Sequence, residues 1–299
     1  MENFVLTIAC LLIGMGLKRL PEFPREGGSV LNLFVIYVAL PALVLLKIPE
    51  LTFSRALLIP ALMPWAMLMV WAAAILGLAG LFRWPRPITG CLLLLVPLGN
   101  TSFLGIPMVT AFFGQEAVPY AVLYDQLGSF LGLATYGSLV IALYGRGTKR
   151  PTLAGVIRKI LLFPPFIALL AALLLSRLPY PTVMTALLQT LAATLVPVVM
   201  IAVGFQLTLK LSKETLTPLS LGLAIKLVAA PLSALLFCRL LGFDSEAARV
   251  AIFEAGMPPM VSAGALAILA DLAPPLTAAL VGLGILFSFA TLPLLYQLL

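Results

Sequence analysis

The chain has 299 residues, of which 62% are hydrophobic and only 10% charged; histidine is absent and the mean hydropathy is +1.16. A soluble domain carries roughly a quarter charged residues, so this composition leaves no polar surface to face water and excludes both a water-soluble enzyme and a nucleic-acid binder. In an integral membrane protein the formal charge of +7 reads as an orientation signal instead of a basic patch.

Hydropathy, set against Pro, Gly and charge, predicts an all-α integral membrane protein with ten transmembrane segments. The first, Phe4 to Leu17, is short and is followed by Lys18 and Arg19 without a small-residue cleavage site, so it reads as a span and not as a removed signal peptide. Val30 to Ile48, Ala56 to Phe82, Ile88 to Phe113 and Tyr120 to Tyr144 complete the first five. Met63, Met67 and Met69 in the third are core or lipid-facing residues by the usual behaviour of methionine. Beyond a basic stretch come Ile160 to Leu175, Val183 to Leu207, Leu219 to Leu241, Ala247 to Ala270 and Leu276 to Leu298. Arg158 and Lys159, just before the sixth, are interfacial anchors. Cys10, Cys91 and Cys238 lie in apolar surroundings, and their spacing fits neither a metal site nor a disulfide framework.

Ten crossings put both termini on one side. That side carries five basic residues, Lys47, Arg55, Arg177, Arg239 and Arg249, whereas the opposite side carries twelve, including Lys18, Arg19, Arg83, Arg86, Arg146, Lys149, Arg150, Lys210 and Lys213. The positive-inside rule therefore places both termini outside the cytoplasm and the Gly145 to Pro151 linker within it.

The linker divides the chain into a first five-segment repeat, 1–145, a cytoplasmic connection, 146–152, and a second repeat, 153–299. Five is odd, so a homologous second half enters from the opposite face and the repeat is inverted. An ungapped shift of 156 superposes Pro41 on Pro197, Ala117 on Ala273, Pro119 on Pro275 and Gly128 on Gly284. It also brings Asn100 onto Gly256, which aligns Gly99-Asn100-Thr101-Ser102-Phe103-Leu104-Gly105-Ile106-Pro107 with Glu254-Ala255-Gly256-Met257-Pro258-Pro259. Both stretches set Gly and Pro in the middle of an apolar run. Proline removes a backbone donor and clashes with the preceding turn, so the helix is expected to break there. Unpaired backbone in hydrocarbon costs several kcal/mol per group and survives only where protein or a wet cavity satisfies it. Interrupted helices in corresponding positions of inverted halves point to the substrate site of a secondary transporter, because half-helix ends offer dipoles and free backbone groups.

Glu254 is the most informative residue, since a midplane carboxylate is costly unless paired, protonated or ion-bound; its plainer reading is a cap for the broken helix. Asn100 has an amide able to satisfy broken backbone and to donate to a substrate carboxylate. Thr101 and Ser102 add hydroxyls beside it, although either can bond back to its own helix. Asp125, next to Gln126, falls opposite apolar Val281 under the same shift and so suggests a task specific to one half; its plainer reading is a pairing with Lys226, which otherwise snorkels to the interface. Gly105, Pro107, Gly256, Met257, Pro258 and Pro259 shape backbone that contacts substrate, and Asn32 faces the cavity from the second segment.

The sequence at these positions resembles the auxin efflux carrier family, whose bacterial members include malonate-type and other organic-anion carriers. The resemblance covers nearly the whole chain and rests on the Asn100 to Pro107 and Glu254 to Pro259 runs, supported by Tyr37-Val38-Ala39-Leu40-Pro41-Ala42-Leu43 and Val196-Pro197. It implies a fold shared with the bile-acid/sodium symporters. In that fold segments 1, 2, 6 and 7 form a dimerising scaffold, while segments 3–5 and 8–10 form a moving transport unit in which helices 4 and 9 cross at their breaks. A glutamate matching Glu254 binds sodium in the bile-acid symporters, but here Pro258 and Pro259 follow in place of amide side chains. The long loop of many plant exporters is missing.

Together these readings predict a secondary-active carrier of a small organic anion in the cytoplasmic membrane, working as an elevator and dimerising through its scaffold. Substrate falls to Asn100, Thr101, Ser102, Gly105, Pro107, Met257, Pro258 and Pro259; ion coupling falls to Glu254, Asp125, Gln126 and Lys226, with sodium or a proton at Glu254. The rival within the class is a sodium-coupled symporter of a larger amphipathic anion of bile-acid type. A channel would need a continuous polar lining, whereas the polar residues here are clustered. Catalysis would need a nucleophile and base, and the chain has no histidine, no paired intramembrane aspartates and no Ser/Lys dyad.

Overall fold

The computed structural model describes residues 2–51, 55–146, 152–176, 178, 180–207 and 215–299. Nearly all of them are helical. In chain order the helical runs are α1 (Glu2–Leu17), α2 (Gly27–Glu50), α3 (Arg55–Phe82), α4 (Arg86–Leu95), α5 (Thr101–Phe113), α6 (Gln115–Tyr144), α7 (Leu153–Leu161), α8 (Pro164–Leu175), α9 (Thr182–Gln206) and α10 (Leu216–Leu240). They are followed by α11 (Glu246–Ala255), α12 (Val261–Leu269) and α13 (Pro274–Tyr296). Six of these, α2, α3, α6, α9, α10 and α13, are long and apolar enough to cross a membrane, and the bent pair α7 and α8 makes a seventh if counted as one span. Among the described residues there is no strand, only an isolated antiparallel bridge between Gly99 and Pro259. The chain is thus an all-α membrane protein.

The predicted sixth segment, Ile160 to Leu175, begins later than expected. Ile160 lies in the last turn of α7, and the chain bends by 64° before Pro164 opens α8, because a proline is accepted in a first turn but not inside a helix. None of the residues of α7 is buried, and Arg158 and Lys159 occupy its last turn. Met63 and Met67 are buried while Met69 points outward. The linker at Gly147–Pro151 lies outside the described residues, as do the basic residues Lys149, Arg150, Arg177, Lys210 and Lys213.

Among the described residues five stretches widen into π turns, with hydrogen bonds reaching one residue further: Val35–Ala39, Thr101–Gly105, Asp125–Phe130, Leu133–Gly137 and Ile225–Ala229. Three of them have a local cause. Pro41, Pro107 and Pro231 each follow within two residues of such a turn, and a proline ring clashes with the carbonyl four residues before it. Widening that turn moves the carbonyl aside and lets the helix continue. No proline stands behind the turn at Asp125–Phe130, and π turns of that kind recur at functional sites.

The chain packs as two compact units. The first comprises Met1–Ser54, Ser102–Val122 and Ile157–Leu207, and the second Arg55–Thr101, Leu123–Val156 and Thr208–Leu299. In the first unit α1 and α9 lie backbone against backbone. A Cβ added at Gly14 would collide with the Ile201 carbonyl, and one at Gly204 with the Leu11 carbonyl, so glycine at both positions permits the close approach that membrane helices use in place of hydrophobic association. Lys18 Nζ closes the same pair by donating to the Leu207 carbonyl at 2.6 Å. In the second unit the core surrounds α4, buried from Thr89 through Leu95, with Leu68 and Ile75 of α3, Leu223 of α10, Ala263 and Ala267 of α12 and Leu276 and Leu280 of α13 packed in the same cluster.

Candidate functional site: two paired helix breaks

Both breaks lie in the second unit. The chain leaves α4 after Leu95 and passes through 96–100 before α5; it leaves α11 after Ala255 and passes through 256–260 before α12. The two irregular stretches satisfy each other. Asn100 N–H donates to the Pro258 carbonyl at 2.8 Å and Met260 N–H to the Leu98 carbonyl at 3.1 Å, on either side of the Gly99–Pro259 bridge. Irregular backbone persists away from water where freed groups find protein partners, as these two pairs do. Helices α4 and α11 are each 10 residues long, so about 15 Å of helix leads into each break. Pro87 stands in the first turn of α4, and the Ser245 hydroxyl caps α11 by accepting from Ala248 N–H at 3.3 Å.

The second break falls at the predicted Gly256 to Pro259. The first begins upstream of the expected Gly99 to Pro107 stretch and shares Gly99 and Asn100 with it, while Pro107 lies in a continuous helical run behind the π turn Thr101–Gly105. It falls at 96–100, where Pro97 was the signal that sequence reasoning passed over.

The chain direction gives the site its polarity. Helices α4 and α11 arrive with their C-terminal carbonyl ends, and α5 and α12 depart with their N-terminal amide ends; the former carry partial negative and the latter partial positive charge. Asn100 stands at the start of α5, is buried, and its Nδ2 has no hydrogen-bond partner. Met257, Pro258 and Pro259 are buried in the second break. Ser102, Gly105 and Pro107 continue α5 into the first unit.

All three charged residues buried among the described residues belong to this region: Asp125 at 1% exposure, Lys226 at 3% and Glu254 at 0%. Asp125 opens the π turn of α6 and is well held. Its Oδ1 accepts from Thr101 Oγ1 at 2.6 Å and its Oδ2 from Gln126 Nε2 at 2.7 Å, both donors to a charged acceptor. Trp65 Nε1 braces that turn through the Leu127 carbonyl at 2.8 Å. Lys226 rides on the π turn of α10 and directs Nζ to the Ala255 carbonyl at 3.3 Å, so it takes the last carbonyl of α11 and not a carboxylate of Asp125. Glu254 sits in the last turn of α11; neither carboxylate oxygen has a hydrogen-bond partner, and it interacts electrostatically with both Asp125 and Lys226. Gln126 Oε1 is also buried and unpartnered.

A hard cation such as sodium needs several oxygens converging on one point. Four carbonyls at the breaks accept hydrogen bonds: Leu98 from Met260, Pro258 from Asn100, Glu254 from Met257 and Ala255 from Lys226. An ammonium already stands among them.

Apolar spanning helices whose buried charges meet at two mutually paired interruptions define a membrane transporter. The chain matches the family described as membrane transport protein over residues 1–296 and belongs to that family, the auxin efflux carriers. It is 26% identical to an uncharacterized transporter of Methanothermobacter thermautotrophicus, across 98% of this chain and 96% of the relative. It is also 26% identical to an uncharacterized transporter of Methanocaldococcus jannaschii, across 86% of this chain and 85% of the relative.

Proposed function

We propose that the protein is a secondary-active carrier of a small organic anion, with a carboxylate of the substrate received at the paired breaks. The observation that carries this reading is the Asn100 amide, buried with an idle Nδ2 at the N-terminal end of α5. A donor of that kind beside a positive helix end is suited to a carboxylate oxygen. The N-terminal end of α12 supplies a second positive dipole, and Thr101 and Ser102 bring hydroxyls to the start of α5.

In this reading the helical runs make ten crossings, with α4 and α5 forming one interrupted span and α11 and α12 another. The two five-span halves are inverted repeats crossing at their breaks, and both termini lie outside the cytoplasm. The protein works in the cytoplasmic membrane by alternating access. A scaffold of spans 1, 2, 6 and 7 dimerises, and the remaining spans carry the substrate as an elevator. The composition of the two packed units supports this assignment, since the second unit gathers spans 3, 8, 9 and 10 with half of 4 and most of 5, whereas Ser102–Val122 groups with the first. A sodium-coupled symporter of a larger amphipathic anion is the weaker reading, because Pro258 and Pro259 follow Glu254 in place of amide side chains and the Lys226 ammonium already stands at the Ala255 carbonyl.

The test is a thermal-shift screen of the purified protein against small carboxylates, with hits followed by uptake into proteoliposomes. A carboxylate that raises the Tm of the parent should lose its effect in Asn100→Ala while the unliganded variant stays folded, since water can replace backbone contacts but not a positioned amide. Equal stabilisation of variant and parent would remove Asn100 from the site.

A further inference from the structure

We propose that the groove between the start of α3 and the turn from α10 into α11 holds one anionic phospholipid, with an acyl chain along its apolar walls and the phosphate at Arg55. All of its walls belong to the second unit, and no residue of the helix breaks lines it. It is therefore separate from the paired breaks.

The shape comes first. The groove has a volume of about 690 Å³, within the size range of small-molecule sites. On one side α3 presents Ile59, Leu62, Met63 and Ala66; on the other stand Phe237 of α10 and Phe243. Gly242, at φ 71°, closes α10, and Phe243 N–H donates to the Cys238 carbonyl at 2.8 Å. A left-handed residue after a helix turns the chain sharply, and here the turn brings Phe243 and Asp244 to the groove. From Arg55 to Ala66 is roughly 16 Å along the helix, comparable to half of the hydrocarbon core of about 30 Å. The groove is thus as deep as one leaflet. Leu58 and Leu62 are exposed beside it, on a span apolar enough to cross a membrane, so it opens sideways to hydrocarbon. An empty groove would forfeit the dispersion contacts of its walls, and an acyl chain from the surrounding leaflet restores them.

Charge decides which lipid. The charged residues that line the groove are Arg55 and Asp244. Asp244 is already paired, since Arg249 donates to its Oδ1 at 3.2 Å. Arg55 is exposed and has no ion partner among the described residues. The helical run that it opens has 28 residues, roughly 42 Å, which exceeds the hydrocarbon core and carries Arg55 into the headgroup layer. A guanidinium there matches a phosphate, which it can hold through two parallel N–H donors. With Asp244 already neutralised, a headgroup of net negative charge fits better than a zwitterionic one, whose own cation would be held beside Arg55.

The test uses the full-length protein, stripped of lipid in a maltoside detergent, with unfolding read from the reaction of the buried Cys91 and Cys238 thiols. Phosphatidylglycerol should raise the Tm saturably and by a few degrees, as a ligand of the folded state does. Phosphatidylcholine with the same acyl chains should raise it clearly less, and glycerol phosphate, which lacks the chains, should not change it. Arg55→Gln should reduce the effect of phosphatidylglycerol to that of phosphatidylcholine. Ala66→Trp fills the groove and should abolish the response to both lipids, whereas Met69→Trp, exposed on the same helix but outside the groove, should respond as the parent does. If Ala66→Trp does not fold, Leu62→Trp makes the same test. The proposal is overturned if the two lipids stabilise the parent equally, if Arg55→Gln keeps the preference, if glycerol phosphate alone reproduces the shift, or if the filled groove still responds. A change of oligomeric state in Ala66→Trp would seat a second copy of the chain in the groove and would overturn it as well.

Discussion

Replacing Thr101 by valine removes one hydroxyl and almost no volume, which makes it a sharp probe of the carboxylate that it serves. Thr101 Oγ1 donates to Asp125 Oδ1 at 2.6 Å, and both residues are buried, at 0% and 1% exposure. A hydrogen bond to a charged group contributes about 1.5–3 kcal/mol, and the substitution would take a short side-chain donor from the carboxylate while the Gln126 amide at 2.7 Å stays in place. For a chain of this length that loss corresponds to a fall in Tm of roughly 2–5 °C. The control is Thr190→Val, whose exposed hydroxyl only bonds back to the Ala186 carbonyl at 2.9 Å; surface changes of that type stay within about 0.5 kcal/mol. Thr101→Ser retains the donor and should recover most of the loss. Unfolding followed by intrinsic fluorescence in one detergent would compare the parent with all three variants. If Thr101→Val melted with Thr190→Val, the Thr101–Asp125 bond would not be a stabilising element and the buried network would have to be reconsidered.

Three further outcomes are expected. Gly99→Ala, whose Cβ would stand 3.2 Å from Lys226 Nζ and 3.5 Å from Met257 Cβ, should lower Tm by an amount equivalent to about 1–3 kcal/mol, whereas Gly77→Ala, with nothing within 4 Å, should raise it slightly through helix propensity; equal Tm changes would contradict the crowding at Gly99. In proteoliposomes, uptake driven by an inward proton gradient should be lost in Glu254→Gln while carboxylate binding persists, because the unpartnered carboxylate is the group of the cluster left to carry an exchangeable charge; unchanged coupling would eliminate an ionic role for Glu254. In a cysteine-free background and intact cells, Gly147→Cys should be shielded from an impermeant thiol reagent and a cysteine appended after Leu299 should react, with the reverse pattern refuting the orientation drawn from basic residues.

Much of the helical plan was legible because membrane spans announce themselves by length and hydropathy. Pro258 and Pro259 also marked their break correctly, since two adjacent prolines leave a helix no way to continue. The expected Gly99 to Pro107 stretch holds the end of the first break at Gly99 and Asn100, whereas Pro107 does not itself break the helix: a single proline can be absorbed by one widened turn, and the Thr101–Gly105 turn does this. Widening leaves no trace in periodicity, and the turn that carries Asp125 has no downstream proline to signal it, whereas Pro231 stands two residues beyond the turn that carries Lys226. The partner of Lys226 was hidden for another reason. It is the main-chain oxygen of Ala255, and every residue owns such an oxygen, so no residue type at any spacing points to it.

The widened turns also make the chain sensitive to a change that substitution cannot mimic. An α-helix rotates about 100° per residue, and a π turn holds one residue more than the regular turn it replaces. Deleting one residue within Ile225–Ala229 would let that turn tighten and would shift helical phase between the two halves of α10 by roughly a quarter of a revolution. Either the Lys226 side or the Pro231 side would then face the wrong neighbours, although the hydropathy of the span would hardly change. Relatives of this protein should therefore conserve length across these turns even where they do not conserve sequence, and single-residue deletions there should be far less tolerated than elsewhere along the same helices.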